Sequence, residues 1–165
     1  MSPRTTPAPK SGPKSDSPGA PGDALRLDRQ LCFALYAASG LVTRAYRPLL
    51  EPLGLTYPQY LVMLVLWERA PRTVSELGAE LDLDSGTLTP LLKRMEAAGL
   101  VARNRDPRDE RRVLITLTPH GGALHDQAAK IPETLACALP LPPEELMDLR
   151  ATLQDFARKM RTATD

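Results

Sequence analysis

The stretch from Leu83 to Thr118, LDSGTLTPLLKRMEAAGLVARNRDPRDERRVLITLT, constrains this chain most, because its hydrophobic period changes halfway. In the first half, Asp84 and Ser85 offer side-chain oxygens to the free N–H groups of a helix's first turn. Leu88, Leu91, Leu92 and Met95 then recur at helical spacing and make one apolar face. Gly99 ends the helix where the chain must turn with positive φ. In the second half, Leu100-Val101 and Val113 to Leu117 are short β-prone runs. The charged connection between them, RNRDPRDERR with Pro107 at its centre, predicts a two-stranded hairpin with a long basic tip. Just upstream, Thr73 and Glu76 in TVSELGAELDL fit the capping-box pattern S/T-x-x-E. That short helix, a tight Leu83-Asp84 connection and the helix from Ser85 predict a helix-turn-helix pair. A helix pair followed by a basic hairpin provides one element for the major groove of DNA and one for its backbone or minor groove. The expected fold class is mainly α with a small β-hairpin wing.

Residue types assign roles within this unit. Ser85, Thr87 and Thr89 are small hydroxyl residues at the start of the second helix, able to reach phosphates or base edges without filling the groove. Lys93 and Arg94 lie further along and suit phosphates. Arg103, Arg105, Arg108, Arg111 and Arg112 give the hairpin its charge, and the last three suit a minor groove or its flanking phosphates. Such a charge run is more often a solvated loop; the adjoining helix-turn-helix pattern favours DNA here. The net charge is only +1, so the chain is no polycation and any nucleic-acid surface must be local. Between Ser85 and Arg112 seven Lys/Arg face four acids, a local excess of +3 that dimerisation would double.

The 165 residues leave room for one domain with a real core, and at 4% aromatic content Leu, Ala, Val and Met must fill it. Residues 1–24 carry six prolines among Ser, Thr, Gly and Lys and read as a disordered tail, with a weak DNA contact by Arg4, Lys10 and Lys14 as the other reading. From about Leu25 a long helix is expected, with Leu31, Leu35, Ala38, Val42, Ala45 and Leu49 as a stripe suited to another helix and Pro48 bending or stopping it. Its neighbouring edge carries Cys32, Tyr36, Ser39, Thr43 and Tyr46. Cys32 and Tyr46 are separated by about 21 Å on one straight helix, so they could meet only across a second, antiparallel copy.

Thr56 is a plausible cap for a central buried helix over 58–69, with Pro58 in its first turn and Trp67 as core filler. After the hairpin, Thr118-Pro119 opens a helix interrupted at Pro132 and continuing to about Leu139. LPLPP is a rigid connector, and a last helix, about Pro143 to Met160, shows Leu146, Leu149, Leu153, Phe156 and Met160 on one face. Two packings would cover that face: a second copy, or the chain's own core. The longest apolar run, Tyr60 to Trp67, is too short to span a bilayer, and no secretory signal precedes it, so a cytoplasmic protein without membrane contact is expected. His120 and His125 lack metal-ligand spacing, so no metal and no cofactor are expected. Two cysteines in such a protein do not suggest a structural disulfide framework.

Thr73 to Thr118, with VSELGAELDLDSGTLTPLLKRMEAAGLV and DPRDERRVLITLT, resembles the MarR family of winged-helix repressors. LCFALYAASG at 31–40 and LTYPQYLVMLVLWE at 55–68 narrow the likeness to the organic-hydroperoxide-sensing, OhrR-type members, over about Leu27 to Met160. The resemblance implies a homodimer bound to double-stranded operator DNA, with a domain over 25–161. Its dimerisation helices would span about 25–53 and 119–161, and its DNA-binding lobe about 57–118. It makes Cys32 the peroxide-reactive cysteine, and Tyr36, Tyr46 and Tyr57 the tyrosines around it, the latter two from the other subunit. Phenol O–H donors aimed at sulfur favour thiolate over thiol. It also makes Cys137 the resolving residue of the two-cysteine branch, so that an organic hydroperoxide as inducer produces a sulfenic acid and then an intersubunit disulfide that releases DNA. Without the resemblance, a Cys on an apolar helix is usually inert packing. Two other functions remain compatible with the residues: a MarR-type repressor relieved by a small aromatic ligand, and a thiol peroxidase using both cysteines. The second lacks an Arg-backed peroxide pocket and leaves the helix-turn-helix unexplained, so the chain is not expected to be an enzyme.

Overall fold

The computed structural model describes residues 23–164. Residues 1–22, most of the expected tail including Arg4, Lys10 and Lys14, lie outside the described residues. The described residues divide into two units, the first ending at Ser39 and the second beginning at Gly40.

The described part of the first unit begins with two short 3-10 turns, Asp23–Leu25 and Leu27–Arg29. The helix expected from Leu25 starts only at Leu31, as α1 (Leu31–Leu50). Local polar contacts hold the turns instead. Arg26 pairs with Asp28 at 2.7 Å, and Gln30 donates from Nε2 to the Ala24 and Arg26 carbonyls. Pro48 neither stops nor shortens α1, because it falls in the last turn and the helix runs on to Leu50.

The second unit is built around α2 (Tyr57–Glu68), whose Tyr60, Val62, Met63 and Leu66 are all buried. Thr56 caps it in a capping box completed by Gln59: Gln59 Oε1 accepts from the Thr56 N–H at 2.8 Å and its hydroxyl at 3.0 Å. β1 (Arg72–Thr73) leads straight into α3 (Val74–Leu81), where the expected Thr73–Glu76 box is present. Asp82, in left-handed conformation at φ 51°, makes the turn to α4 (Ser85–Ala97). Asp84 caps α4, and Leu88, Leu91, Leu92 and Met95 are buried as their spacing predicts. Gly99 ends the turn beyond α4 with φ 70°.

The wing is β2 (Val101–Asp106) and β3 (Asp109–Leu117), antiparallel, with Arg103 opposite Ile115 and Arg105 opposite Val113. The basic run is therefore ladder almost throughout, and only Pro107-Arg108 turns, which corrects the expected long loop. A ribbon exposed at its far end needs no apolar alternation, so hydrophobicity did not mark those residues as strand. β1 was also not anticipated. Two residues long, it pairs with the outer edge of β3 through Arg72–Ile115 and Thr73–Leu114, giving a three-stranded sheet ordered β1-β3-β2.

α5 (Pro119–Ala128) follows, capped by Thr118 onto the Gly121 N–H, then α6 (Ile131–Ala138) and α7 (Pro143–Thr164). The break between α5 and α6 falls at Ala129-Lys130, and Pro132 sits in the first turn of α6, where its missing N–H has no partner to lose. α7 keeps Met147, Leu149, Leu153 and Met160 exposed in the single chain. Among the described residues no single helix is long and apolar enough to cross a membrane.

Candidate DNA-binding face and redox cysteines

Two groups of predicted residues emerge in the second unit. The first lies on α4 and the wing. Ser85, Lys93 and Arg94 are exposed and Thr89 is half-buried. The Thr87 hydroxyl donates to Asp84 Oδ2 at 2.8 Å, while the Thr87 N–H donates to Oδ1 at 2.9 Å. These bonds hold the Asp84 carboxyl below its usual range and leave only the Thr87 oxygen free to accept. Thr87 thus serves first in the helix cap. Arg105, Arg108, Arg111 and Arg112 are exposed along the ribbon. Arg103 stands apart from them. It is half-buried near the end of α4, its Nη1 lies 3.8 Å from Glu96 Oε2, and its buried Nε has no hydrogen-bond partner. Glu76, held below the usual carboxylate range chiefly by its two bonds from Thr73, also feels the charge of Arg112.

The second group is aromatic. The rings of Tyr46 and Tyr57 lie 4.8 Å apart, Tyr46 and Tyr60 5.7 Å, and Tyr60 and Trp67 6.3 Å. The structure thus brings together two of the three expected tyrosines and adds Tyr60, which is fully buried and was not singled out. The YPQY spacing could have shown it, since positions i and i+3 share a helix face. Trp67 is more than filler: its Nε1 donates to the Gly121 carbonyl at 3.0 Å, and His125 meets its ring edge-on at 5.8 Å. His120 and His125 are both exposed.

Burial raises the pKa of Tyr46, Tyr57 and Tyr60, so near neutrality all three hydroxyls are protonated and able to donate. A folded-state pKa above the unfolded value gives stability that is complete below the unfolded pKa, about 10, and is lost as pH climbs past it. Denaturant midpoints are therefore expected to fall above about pH 10, with less of that fall in a Tyr46→Phe protein.

Cys32, the second residue of α1, belongs to the first unit, as does Tyr36; both are exposed. Cys137 lies in the last turn of α6 in the second unit and is exposed as a free thiol. Neither thiol is locked into the core as a small hydrophobe, and access is the first requirement for oxidation. Among the described residues no group of three or more His, Cys, Asp or Glu is placed to hold a metal ion.

A helix-turn-helix whose second helix leads into a three-stranded sheet with a basic ribbon defines a winged-helix DNA-binding regulator. Comparisons with known proteins agree. A family model described as transcriptional regulator SarA/Rot matches residues 44–128. The chain is 50% identical over 131 residues to the organic hydroperoxide resistance transcriptional regulator of Bacillus subtilis, across 79% of this chain and 89% of that one. It resembles the structure of reduced AbfR of Staphylococcus epidermidis bound to DNA, with a TM-score of 0.75 and 35% identity, covering 87% of this chain and 99% of that one. Disulfide-formed AbfR matches with a TM-score of 0.59 at 38% identity, over 82% and 95% of the two chains. The apo form of MarR from E. coli matches with a TM-score of 0.59 at 27% identity, over 77% and 96%. The chain belongs to the MarR family of winged-helix transcriptional regulators.

Proposed function

We propose that this chain is a homodimeric repressor that holds double-stranded operator DNA through α4 and the wing and releases it when an organic hydroperoxide oxidises Cys32. The observation that carries the reading is the 50% identity to a hydroperoxide-resistance regulator across nearly all of that protein's length. The exposed thiol of Cys32 and the pair of protonated phenols at Tyr46 and Tyr57 support it. The DNA-binding lobe is residues 57–118. The dimerisation helices are α1, α5, α6 and α7, and the exposed apolar side chains of α7 give a second copy something to cover. Of the sequence-derived DNA contacts, Ser85, Thr89, Lys93, Arg94, Arg105, Arg108, Arg111 and Arg112 keep that role here. Arg103 and Thr87 act chiefly within the fold.

In the chemistry proposed, the Cys32 thiolate attacks the terminal peroxide oxygen. The S–O bond forms as the O–O bond breaks, and the alkoxide leaves and takes up a proton as the alcohol. Sulfur is oxidised to sulfenic acid and the peroxide is reduced. The Cys137 thiolate of the second copy then displaces hydroxide from the sulfenic sulfur, giving a disulfide and water. One stoichiometric dose of hydroperoxide tests this on DNA from upstream of the protein's own gene. Loss of binding and a disulfide-linked dimer on a non-reducing gel are expected in the wild type. Cys137→Ser is expected to form no linked dimer and to release DNA poorly. If Cys137→Ser releases DNA as readily as the wild type, the resolving role is wrong and Cys32 acts alone. If no hydroperoxide releases the wild type, the ligand-relieved reading replaces this one.

A further inference from the structure

Asp82 makes the turn of the helix-turn-helix, and its side chain meets the end of the last helix. Arg161, in the last turn of α7, donates from Nη1 to Asp82 Oδ2 at 2.5 Å, across 79 residues of sequence. Both residues belong to the second unit. The neighbouring cations of α7 behave differently. Arg158 and Lys159 both engage Asp155 of their own helix, whereas Arg161 reaches across to the helix-turn-helix.

The turn itself does not call for an acid. Asp82 is left-handed at φ 51°, and its N–H donates to the Gly78 carbonyl. Glycine or asparagine would meet those backbone demands equally well. What aspartate adds over either is a charge, and among the described residues Arg161 is the partner its carboxylate finds. The pair also sits where leverage is greatest. Asp82 lies just before Ser85, the first residue of α4. At its other end is a rod of 22 residues, about 33 Å long. The exposed Met147, Leu149 and Leu153 of that rod are side chains a second copy would cover in the proposed dimer.

We infer that the Asp82–Arg161 pair ties the helix-turn-helix to the last helix and so sets the half-site spacing that the dimer accepts. This rests on the dimeric DNA-binding reading above. It adds to that reading two positioning residues, which act by placing α4 rather than by reading a base. Both side chains are exposed, so each tie is weak alone and is screened by salt. Two act together in a dimer, and an altered spacing can cost no more than the ties it breaks.

The quantity to measure is a ratio of affinities. Its numerator is binding to the protein's own upstream DNA, and its denominator is binding to the same DNA with one or two base pairs inserted at the centre of the protected segment. Asp82→Asn and Arg161→Gln are each expected to lower that ratio by about threefold to tenfold, with thermal midpoints matching the wild type. Their charge changes are opposite in sign and shift binding to both duplexes together in opposite directions. A ratio lowered by both variants is therefore the mark of the pair. The double variant is expected to lower it no further than either single one, and Arg161→Lys to keep most of it. Rising salt should lower the ratio in the wild type and leave it level in the variants. Arg161→Gln leaves the turn untouched, so its ratio decides even if Asp82→Asn melts early. An unchanged ratio in Arg161→Gln overturns the inference. So do losses that add in the double variant, and so does a wild type that binds both duplexes equally. A wild type that is monomeric, or binds neither duplex, instead overturns the reading beneath it.

Discussion

A Cys32→Ser protein is expected to bind its DNA as tightly as the wild type and to remain bound at hydroperoxide doses that strip the wild type completely. The substitution exchanges sulfur for oxygen at an exposed position of α1, away from the buried core, so little stability should change. Reactivity changes far more. A serine hydroxyl stays protonated near neutrality and does not attack peroxide oxygen, whereas a thiolate does so and becomes a sulfenic acid. DNA binding before and after a stoichiometric dose, with intact-protein mass to detect an added oxygen, reads both halves. Serine and wild-type proteins that release DNA at the same dose would remove Cys32 from the mechanism whatever its kinship suggests.

The largest effect on stability is expected from one added methyl. A Cβ on Gly121 would lie 2.0 Å from the Leu100 carbonyl oxygen, 3.0 Å from its carbon and 3.3 Å from Met63 Cε. The two nearest atoms are backbone at the start of the wing, where neither can swing aside. The same glycine accepts the Trp67 indole bond, so the displacement reaches α2 as well. Gly121→Ala is expected to cost about 3 kcal/mol, lowering the thermal midpoint by about 6–12 °C for a chain of this size. Gly122→Ala is the control. A Cβ there meets nothing within 4 Å, and alanine should gain about 0.5–1 kcal/mol over glycine inside the helix. A calorimetric scan in which the two variants behave alike would mean that the close approach of α5 to Leu100 is not as described.

The sequence made the helix-turn-helix readable because three local signals coincided there. These were the Thr73–Glu76 box, the 88-91-92-95 apolar spacing and the glycine at 99, and the structure realises all three. Local signals failed where the structure depends on distant partners. β1 exists only because Arg72 and Thr73 meet β3 some forty residues later, a pairing no window can see. The 25–30 segment carried helix-compatible residues, but side-chain-to-backbone bonds from Gln30 compete successfully for its carbonyls. Among candidate site residues, charge identified the wing arginines without separating Arg103 from the rest, because its position near Glu96 follows from strand register. The tyrosines came from resemblance; their ring contacts and their company with Tyr60 needed three dimensions.

β1 runs without a break into α3 and is hydrogen-bonded to β3, the strand that also carries the wing. α4 in turn leads through Gly99 into β2, which pairs with the same β3, so both helices of the helix-turn-helix and the ribbon are tied to one sheet. If α4 reads bases and the ribbon grips backbone as proposed, the two contacts keep a fixed offset within one lobe. What stays adjustable in a dimer is the separation of two such rigid heads, measured against the helical repeat of DNA. Half-site spacing and half-site sequence are then independent variables. On the proposed function, changes on α4 would retarget the protein to new promoters without retuning its inducer, and changes in the proposed dimerisation helices that spare Arg161 would retune the inducer without altering which promoters it finds.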